Sequence, residues 1–129
     1  MAMTRHLALL VLLTAAALVV ASPAALAKGG GGVRVSGSCS KGATSKLKVK
    51  SDDGRLEIEF EVDQNRSGVR WSVLLAVGRT TIASTRATTR RPSGSFTVRR
   101  TAVDRAGRDT VSARATSPSG QVCSARASI

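Results

Sequence analysis

Histidine is almost absent from this sequence. The only one, His6, lies in a segment with the features of a secretory signal, so we expect the mature protein to have no imidazole. A chain without histidine cannot form a Ser-His-Asp or Cys-His catalytic group, nor a metal site that uses histidine ligands. Its many Ser and Thr residues lack a base to activate them. We therefore predict a protein that is not an enzyme.

Aromatic residues are also scarce, with one Trp, two Phe and no Tyr. Proteins that hold single-stranded nucleic acid without sequence preference stack its bases on aromatic rings. We therefore do not expect nucleic acid as a partner, even though the formal net charge is +12. Trp71 lies in an alternating apolar stretch and is predicted to fill the core, the alternative being an exposed binding platform.

Acidic residues number eight, against twenty Lys and Arg. Glu57, Glu59 and Glu61 would share one strand face with about 6.8 Å between alternate residues, a separation that also suits glycosidase carboxylates. In the register derived below, a Lys lies opposite each Glu. This pairing favours a solvent-exposed series of Lys–Glu pairs, here called the charge ladder, over a catalytic pair of carboxylates. The Asp pairs 52–53 and 104 with 109 are candidate calcium ligands. However, Asp53-Gly54 is explained by a turn, and arginines lie next to both pairs, so a calcium site is disfavoured. We predict no metal and no cofactor.

The first 27 residues have the three parts of a secretory signal peptide: Arg5 near the start, an uncharged apolar run over 7–20, and a small-residue site that ends at Ala27. We predict cleavage after Ala27. An uncleaved anchor is the alternative, since the apolar segment approaches the ~20 residues of a spanning helix. Pro23 disfavours it. The predicted protein is secreted, either free or associated with the cell envelope, and has no stable membrane span after cleavage.

Residues 28–32 are Lys followed by Gly and are predicted to be a flexible lead-in. The remaining residues, 33–129, have the length of one domain. The only two cysteines, Cys39 and Cys123, are predicted to form a disulfide, because an exported chain meets an oxidising environment. This bond would close a loop of about 85 residues, worth about 4.6 kcal/mol in the chain-entropy model. Zinc held by two cysteines without histidine is far less favourable, since it takes four ligands.

After the lead-in, apolar and polar residues alternate, and turn signals recur every 8–12 residues, which is typical of an all-β sandwich or barrel. Asp53-Gly54 between two alternating runs predicts a two-residue hairpin turn. A one-residue slip would set lysines against apolar side chains, so the charges select one register. That register places Lys46, Lys48 and Lys50 opposite Glu61, Glu59 and Glu57, and Leu47 and Val49 opposite Phe60 and Ile58.

The predicted strands number seven, with a short leader before them. The disulfide would tie the leader to the last strand. The predicted hairpin covers 45–63, the leader 33–36, and the other strands 69–77, 80–88, 95–101, 109–116 and 121–129.

Three stretches resemble the immunoglobulin-like sandwich. Val-Arg-Trp-Ser-Val at 69–73 is similar to its third strand, which carries a buried Trp, and 104–111 is similar to the corner before its sixth strand. The tail resembles its closing hairpin. The resemblance implies an all-β, immunoglobulin-like two-sheet sandwich of about seven strands. Three features depart from the family: the tyrosine corner is absent, both cysteines lie outside the usual inter-sheet pair, and the first two strands are joined by a tighter turn than is usual.

The chain also resembles small secreted proteins of unassigned function from high-GC Gram-positive bacteria, and its Arg-over-Lys bias and many alanines fit GC-rich coding. A fold of this kind hosts many activities, so the resemblance assigns none of them.

In a sandwich of this order, the loops 64–68, 89–94 and 117–120 meet at one end. They contain Arg66, Arg90 and Arg91 and no acid, whereas the opposite end mixes both charges. Guanidinium forks suit phosphate and carboxylate groups, so these three arginines are the candidate anion-binding residues. The alternative is a basic surface that only keeps the protein soluble.

Two functions follow from these observations. The first is a secreted, non-catalytic immunoglobulin-like module with a binding or structural role at the cell envelope; its specific role and partner are unknown, and another surface protein is one candidate partner. The alternative is an electrostatic binder of anionic polymers such as teichoic acid, anionic lipid or polysaccharide, acting through the basic loop end.

The predicted processing has a direct test. Intact-mass measurement of the secreted protein should give a chain that begins at Lys28 and is lighter than its reduced form by two hydrogen atoms. An uncleaved chain, or one with two free thiols, would contradict the prediction.

Overall fold

The computed structural model describes residues 31–129. The predicted signal peptide, His6 and most of the predicted lead-in lie outside the described residues. Residues 31–129 form nine strands without a helix, so none of them belongs to a helix able to cross a membrane. The strands are β1 (Gly32–Ser36), β2 (Ser38–Cys39), β3 (Thr44–Asp52), β4 (Arg55–Asp63), β5 (Arg70–Val77), β6 (Thr80–Thr88), β7 (Ser95–Val103), β8 (Thr110–Thr116) and β9 (Val122–Ser128).

The nine strands form two antiparallel sheets. One has four strands in the order β1-β3-β4-β7, and the other has five in the order β2-β9-β8-β5-β6. The chain changes sheet five times: between β1 and β2, β2 and β3, β4 and β5, β6 and β7, and β7 and β8. This arrangement confirms the predicted all-β two-sheet sandwich and is consistent with an immunoglobulin-like fold. The seven predicted strands correspond to β3–β9, and the predicted leader, 33–36, corresponds to β1. The two-residue strand β2 was not predicted; the leader strand, as the structure defines it, comprises β1 and β2.

The β3–β4 hairpin has the predicted register. Lys48 pairs with Glu59 and Leu47 with Phe60. Asp53 and Gly54 both have positive φ, 49° and 73°, as a type I′ turn requires. Because side chains alternate across a strand, this register sends the apolar residues inward and the charged residues to the solvent.

The core lies between the inner faces of the two sheets. Trp71 on β5 is fully buried, and its ring lies 6.1 Å from that of Phe96 on β7, which joins the two sheets through aromatic packing. The prediction that Trp71 fills the core is therefore confirmed. The other large side chains without solvent exposure are Leu47, Val49, Leu56, Phe60, Val62, Leu75 and Val111.

The leader strand contacts both sheets. β1 pairs with β3 in the four-stranded sheet, and β2 pairs with β9 in the five-stranded sheet. The chain crosses between them at Gly37, where a Cβ atom would lie 2.1 Å from Ser45 Oγ and 2.6 Å from the Ser124 carbonyl oxygen. Only glycine fits this crossing without a shift of the backbone around it.

The predicted disulfide is present. Cys39 and Cys123 are directly opposite each other on β2 and β9, and they are 84 residues apart in sequence. The bond lies within one sheet, whereas the usual pair of the immunoglobulin-like family bridges two. It holds the residues just after the Gly37 crossing on β9, while β1 remains paired with the other sheet.

Loss of the disulfide should destabilise the sandwich strongly. We expect the double substitution Cys39→Ser/Cys123→Ser to lower the free energy of unfolding by about 2–5 kcal/mol. Without the bond, the unfolded chain has more conformational freedom and is therefore favoured. Denaturant titration of the oxidised protein and the double variant measures the difference. Ser38→Ala, at an exposed neighbouring position, is the control and should change stability by less than about 0.5 kcal/mol. Equal stability of the double variant and the wild type would show that the bond is energetically irrelevant.

Candidate anion-binding surface

Three loops lie together at one end of the sandwich, as the predicted strand order required. The Gln64 amide donates to the Gly94 carbonyl at 3.1 Å, and the Gly68 amide donates to the Thr89 carbonyl at 2.8 Å. Gln64 also reaches the third loop, since its Nε2 donates to Gln121 Oε1 at 2.9 Å. We call the loops 64–69, 89–94 and 117–121 the loop end.

Arg66, Arg90 and Arg91 are all exposed at the loop end. Their backbone is held firmly: the Arg66 carbonyl accepts a hydrogen bond from Thr89 Oγ1 at 2.6 Å, and the Arg90 carbonyl accepts one from the Gly94 amide at 2.8 Å. Gly94 packs so closely that a Cβ atom there would lie 2.2 Å from the Arg66 nitrogen. The three guanidinium groups therefore extend from ordered loops. Their role in anion binding stays a prediction.

A relay of side-chain hydrogen bonds lies beneath the loop end. Trp71 Nε1 donates to Gln64 Oε1 at 3.1 Å, and Gln64 Nε2 in turn donates to Gln121 Oε1. Gln121 Nε2 then donates to the Lys41 carbonyl at 2.9 Å, which brings the exposed Lys41 to the same end. The relay satisfies the indole of the core Trp and fixes the relative positions of the loops. Gln64, Gln121 and Lys41 did not appear among the residues predicted from sequence.

One carboxylate lies close to the loop end. Asp63 is the last residue of β4, and its Oδ1 accepts a hydrogen bond from the Asn65 amide at 2.9 Å. The loops themselves contain no acid, as predicted, but this side chain adds a negative charge at their base. Its bond to Asn65 indicates a role in shaping the β4–β5 loop.

All eight acidic residues of the sequence fall within two regions of the described structure. One group occupies the outward positions of β4, and the other lies at the end of the sandwich opposite the loop end. The strands of the five-stranded sheet contain none. The first group is Glu57, Glu59, Glu61 and Asp63, and the second is Asp52, Asp53, Asp104 and Asp109.

Glu59, in the middle of β4, faces cations on both neighbouring strands. Lys48 on β3 and Arg99 on β7 both pair in register with Glu59, and Arg99 Nε lies 3.1 Å from Glu59 Oε2. This arrangement matches the predicted charge ladder. An exposed pair of this kind contributes only about 0.2–1 kcal/mol, so its main effect is on register and solubility.

The acids at the opposite end take part in turn structure. Asp104 accepts a hydrogen bond from Ser51 Oγ, and Asp109 Oδ2 accepts one from the Arg105 amide at 3.1 Å. Within residues 31–129, no group of three or more His, Cys, Asp or Glu side chains is placed to hold a metal ion.

The outer face of the five-stranded sheet is basic and carries no acid. Its arginines are Arg70 on β5, Arg86 on β6, Arg114 on β8 and Arg126 on β9, all exposed. We call these four residues the arginine stripe. They were not singled out from sequence, because they are spread over 57 positions of the chain and only strand pairing brings them to one face.

Two shallow depressions lie side by side on this face. One is lined by Arg70, Arg86 and Arg114, and the other by Arg114 and Arg126. They share Leu74 and Arg114, so together they form one groove along the arginine stripe. Hydroxyl groups complete its lining, from Ser72, Ser84, Ser112, Thr116 and Ser124.

Comparison with known proteins gives no match: no family model, no curated protein and no solved structure is similar to this chain.

The loop end should depend on the buried hydroxyl of Thr89. Replacement by Val leaves the Arg66 carbonyl and the Val69 amide without this partner, so we expect Thr89→Val to lower the free energy of unfolding by about 1–3 kcal/mol. Thr88→Val, at the exposed adjacent position, is the control and should cost less than about 0.5 kcal/mol. Chemical denaturation compares the two, and equal effects would show that the Thr89 hydrogen bonds do not stabilise the loop end.

Proposed function

We propose that this protein is a secreted, non-catalytic immunoglobulin-like module that binds an anionic polymer of the cell envelope. The observation that carries the proposal is the segregation of charge. Every carboxylate side chain lies on β4 or at the end opposite the loop end, whereas the arginines of the five-stranded sheet and of the loop end have few or no acids beside them. A polyanion would meet little repulsion across this surface, since Asp63 is the one carboxylate at the base of the loop end.

The covalent structure fits an exported protein. Disulfides persist in oxidising environments outside the cytoplasm, and the Cys39–Cys123 bond uses both cysteines of the sequence. The signal-like pattern of residues 1–27 supports the same location. A phosphate- or carboxylate-rich polymer is a ligand that such a protein would meet at the cell surface.

The chemistry of the exposed residues favours binding over catalysis. Arginine keeps its charge at every physiological pH and binds oxyanions through two parallel hydrogen bonds. The carboxylates nearest to cations, such as Glu59, form a surface ladder with Lys48 and Arg99. Attraction between exposed charges acts over about a Debye length, roughly 8 Å at physiological salt, so the proposed binding is sensitive to ionic strength.

The proposal predicts salt-sensitive binding to the envelope through the loop end. Secreted protein should sediment with isolated cell envelope at low salt and be released as the salt rises to physiological levels. The variant Arg66→Ala/Arg90→Ala/Arg91→Ala should bind about threefold to 150-fold more weakly, since three exposed charge contacts are lost at roughly 0.2–1 kcal/mol each.

The matched control removes the same charge at the opposite end, in Lys50→Ala/Arg79→Ala/Arg108→Ala, and should bind nearly as well as the wild type. Binding that ignores salt and is equal in both variants would exclude an electrostatic polymer binder.

A second candidate function is protein recognition along strand edges. β6 and β7 are nine-residue edge strands of the two sheets, and Thr85–Thr88 and Ser95–Arg100 line one seam between them. An open edge can take up an added strand from a partner, bound by main-chain hydrogen bonds. Such a complex would persist at high salt, which distinguishes it from polymer binding.

A further inference from the structure

Residues that pair across neighbouring strands form a row that runs across the five-stranded sheet. Each arginine of the stripe lies in a different row. Arg70 pairs with Thr88, and Arg86 pairs with Ser72 in the next row. Arg114 pairs with Leu74, and Arg126 pairs with Ser112, which itself lies opposite Ala76. Successive rows, counted along β5 from the loop end, therefore hold one guanidinium each. Rows of outward side chains lie about 6.8 Å apart, so the stripe extends over roughly 20 Å.

The stripe leads towards the loop end. Arg70 is the first residue of β5, and the β4–β5 loop that carries Arg66 directly precedes it. The loop after β6 carries Arg90 and bonds to this loop through Thr89 and Gly68. A ligand that lies along the stripe would thus reach the arginines of the loop end without crossing an acidic residue of the five-stranded sheet.

Regular spacing of single charges matches a linear polymer better than a compact anion. One charge per row fits a chain that carries one anionic group per short repeat. Between the arginines, Ser72, Ser84 and Thr116 offer hydroxyl donors. Arginine forks together with serine and threonine hydroxyls are the groups that contact phosphodiester oxygens in protein complexes with nucleic acids.

The same surface lacks the features that bind single-stranded nucleic acids and lipid surfaces. Nucleic-acid bases stack on exposed aromatic rings, but the three aromatic residues, Trp71, Phe60 and Phe96, are buried. Binding to a lipid surface uses a cluster of apolar side chains, whereas the exposed large apolar residues among 31–129 are Leu74 and Val103, which lie on different sheets.

From this placement we propose that the outer face of the five-stranded sheet binds an extended phosphodiester chain that carries no nucleobases, laid along the arginine stripe from Arg126 to Arg70 and on to the loop end. This inference rests on the proposed function and deepens it, because it names the ligand chemistry and a larger binding surface.

The test uses the oxidised mature protein and fluorescently labelled poly(glycerol phosphate), with the Kd measured by anisotropy at low and physiological salt. The stripe variant Arg70→Ala/Arg86→Ala/Arg114→Ala/Arg126→Ala should bind about tenfold or more weakly and should lose part of the salt dependence. The control variant Arg34→Ala/Lys46→Ala/Lys48→Ala/Lys50→Ala removes the same charge from the outer face of the four-stranded sheet. Its Kd should change by less than about threefold.

The single charge reversal Arg114→Glu is measured as well, so that the inference stays testable if the quadruple variant does not fold. Arg114 lines both depressions, so this change alone should weaken binding about tenfold. Equal Kd values for the stripe and control variants, or no effect of Arg114→Glu, would overturn the inference.

The remaining outcomes separate this inference from the proposed function. Loss of binding in the Arg66/Arg90/Arg91 variant but not in the stripe variant would leave the proposed function standing and remove the stripe from it. Equal or tighter binding to a carboxylated polysaccharide or to anionic vesicles would overturn the phosphodiester assignment, and equal or tighter binding to single-stranded DNA would overturn the exclusion of nucleic acid. No salt-dependent binding to any polyanion would overturn both.

Discussion

The burial of alternate side chains between two sheets is the constraint on which the rest of this structure depends. Each strand sends every second residue inward, and the inner faces meet around Trp71, Phe60 and Leu47. The remaining residues face the solvent and are free to carry charge. Because apolar burial sets the orientation of each strand, it also decides which charges share a surface. The positive face of the sandwich is thus a consequence of how its core packs.

Side-chain hydrogen bonds and the disulfide hold the loops and the leader, whose positions core packing does not determine. Apolar packing has no preferred direction, so it leaves the loops at the strand ends undetermined. The relay from Trp71 through Gln64 and Gln121 is directional, and it links the deepest aromatic ring to the exposed loop end. The disulfide acts in a similar way on the leader, which it holds on β9 after the chain has crossed between the sheets at Gly37.

Charge separation on a small domain has consequences beyond single ion pairs. The three Glu residues of β4 are each opposite a lysine of β3, so the four-stranded sheet carries charges of both signs. The five-stranded sheet has arginines without acids on its strands, and the loop end continues the same sign. An uncompensated field of this kind attracts anions over longer distances and orients the protein as it approaches them. This arrangement is the basis of the proposed binding of an anionic polymer.

Local sequence determined the strands, the β3–β4 register, the Asp53-Gly54 turn and the pairing of Cys39 with Cys123, because each follows from side-chain alternation, turn chemistry or the number of cysteines. It also placed three arginines in loops that the strand order brings together. The arginine stripe, the Gln64–Gln121 relay and the double contact of the leader were decided only by tertiary structure. These features join residues from distant strands, and no local pattern specifies which strands become neighbours.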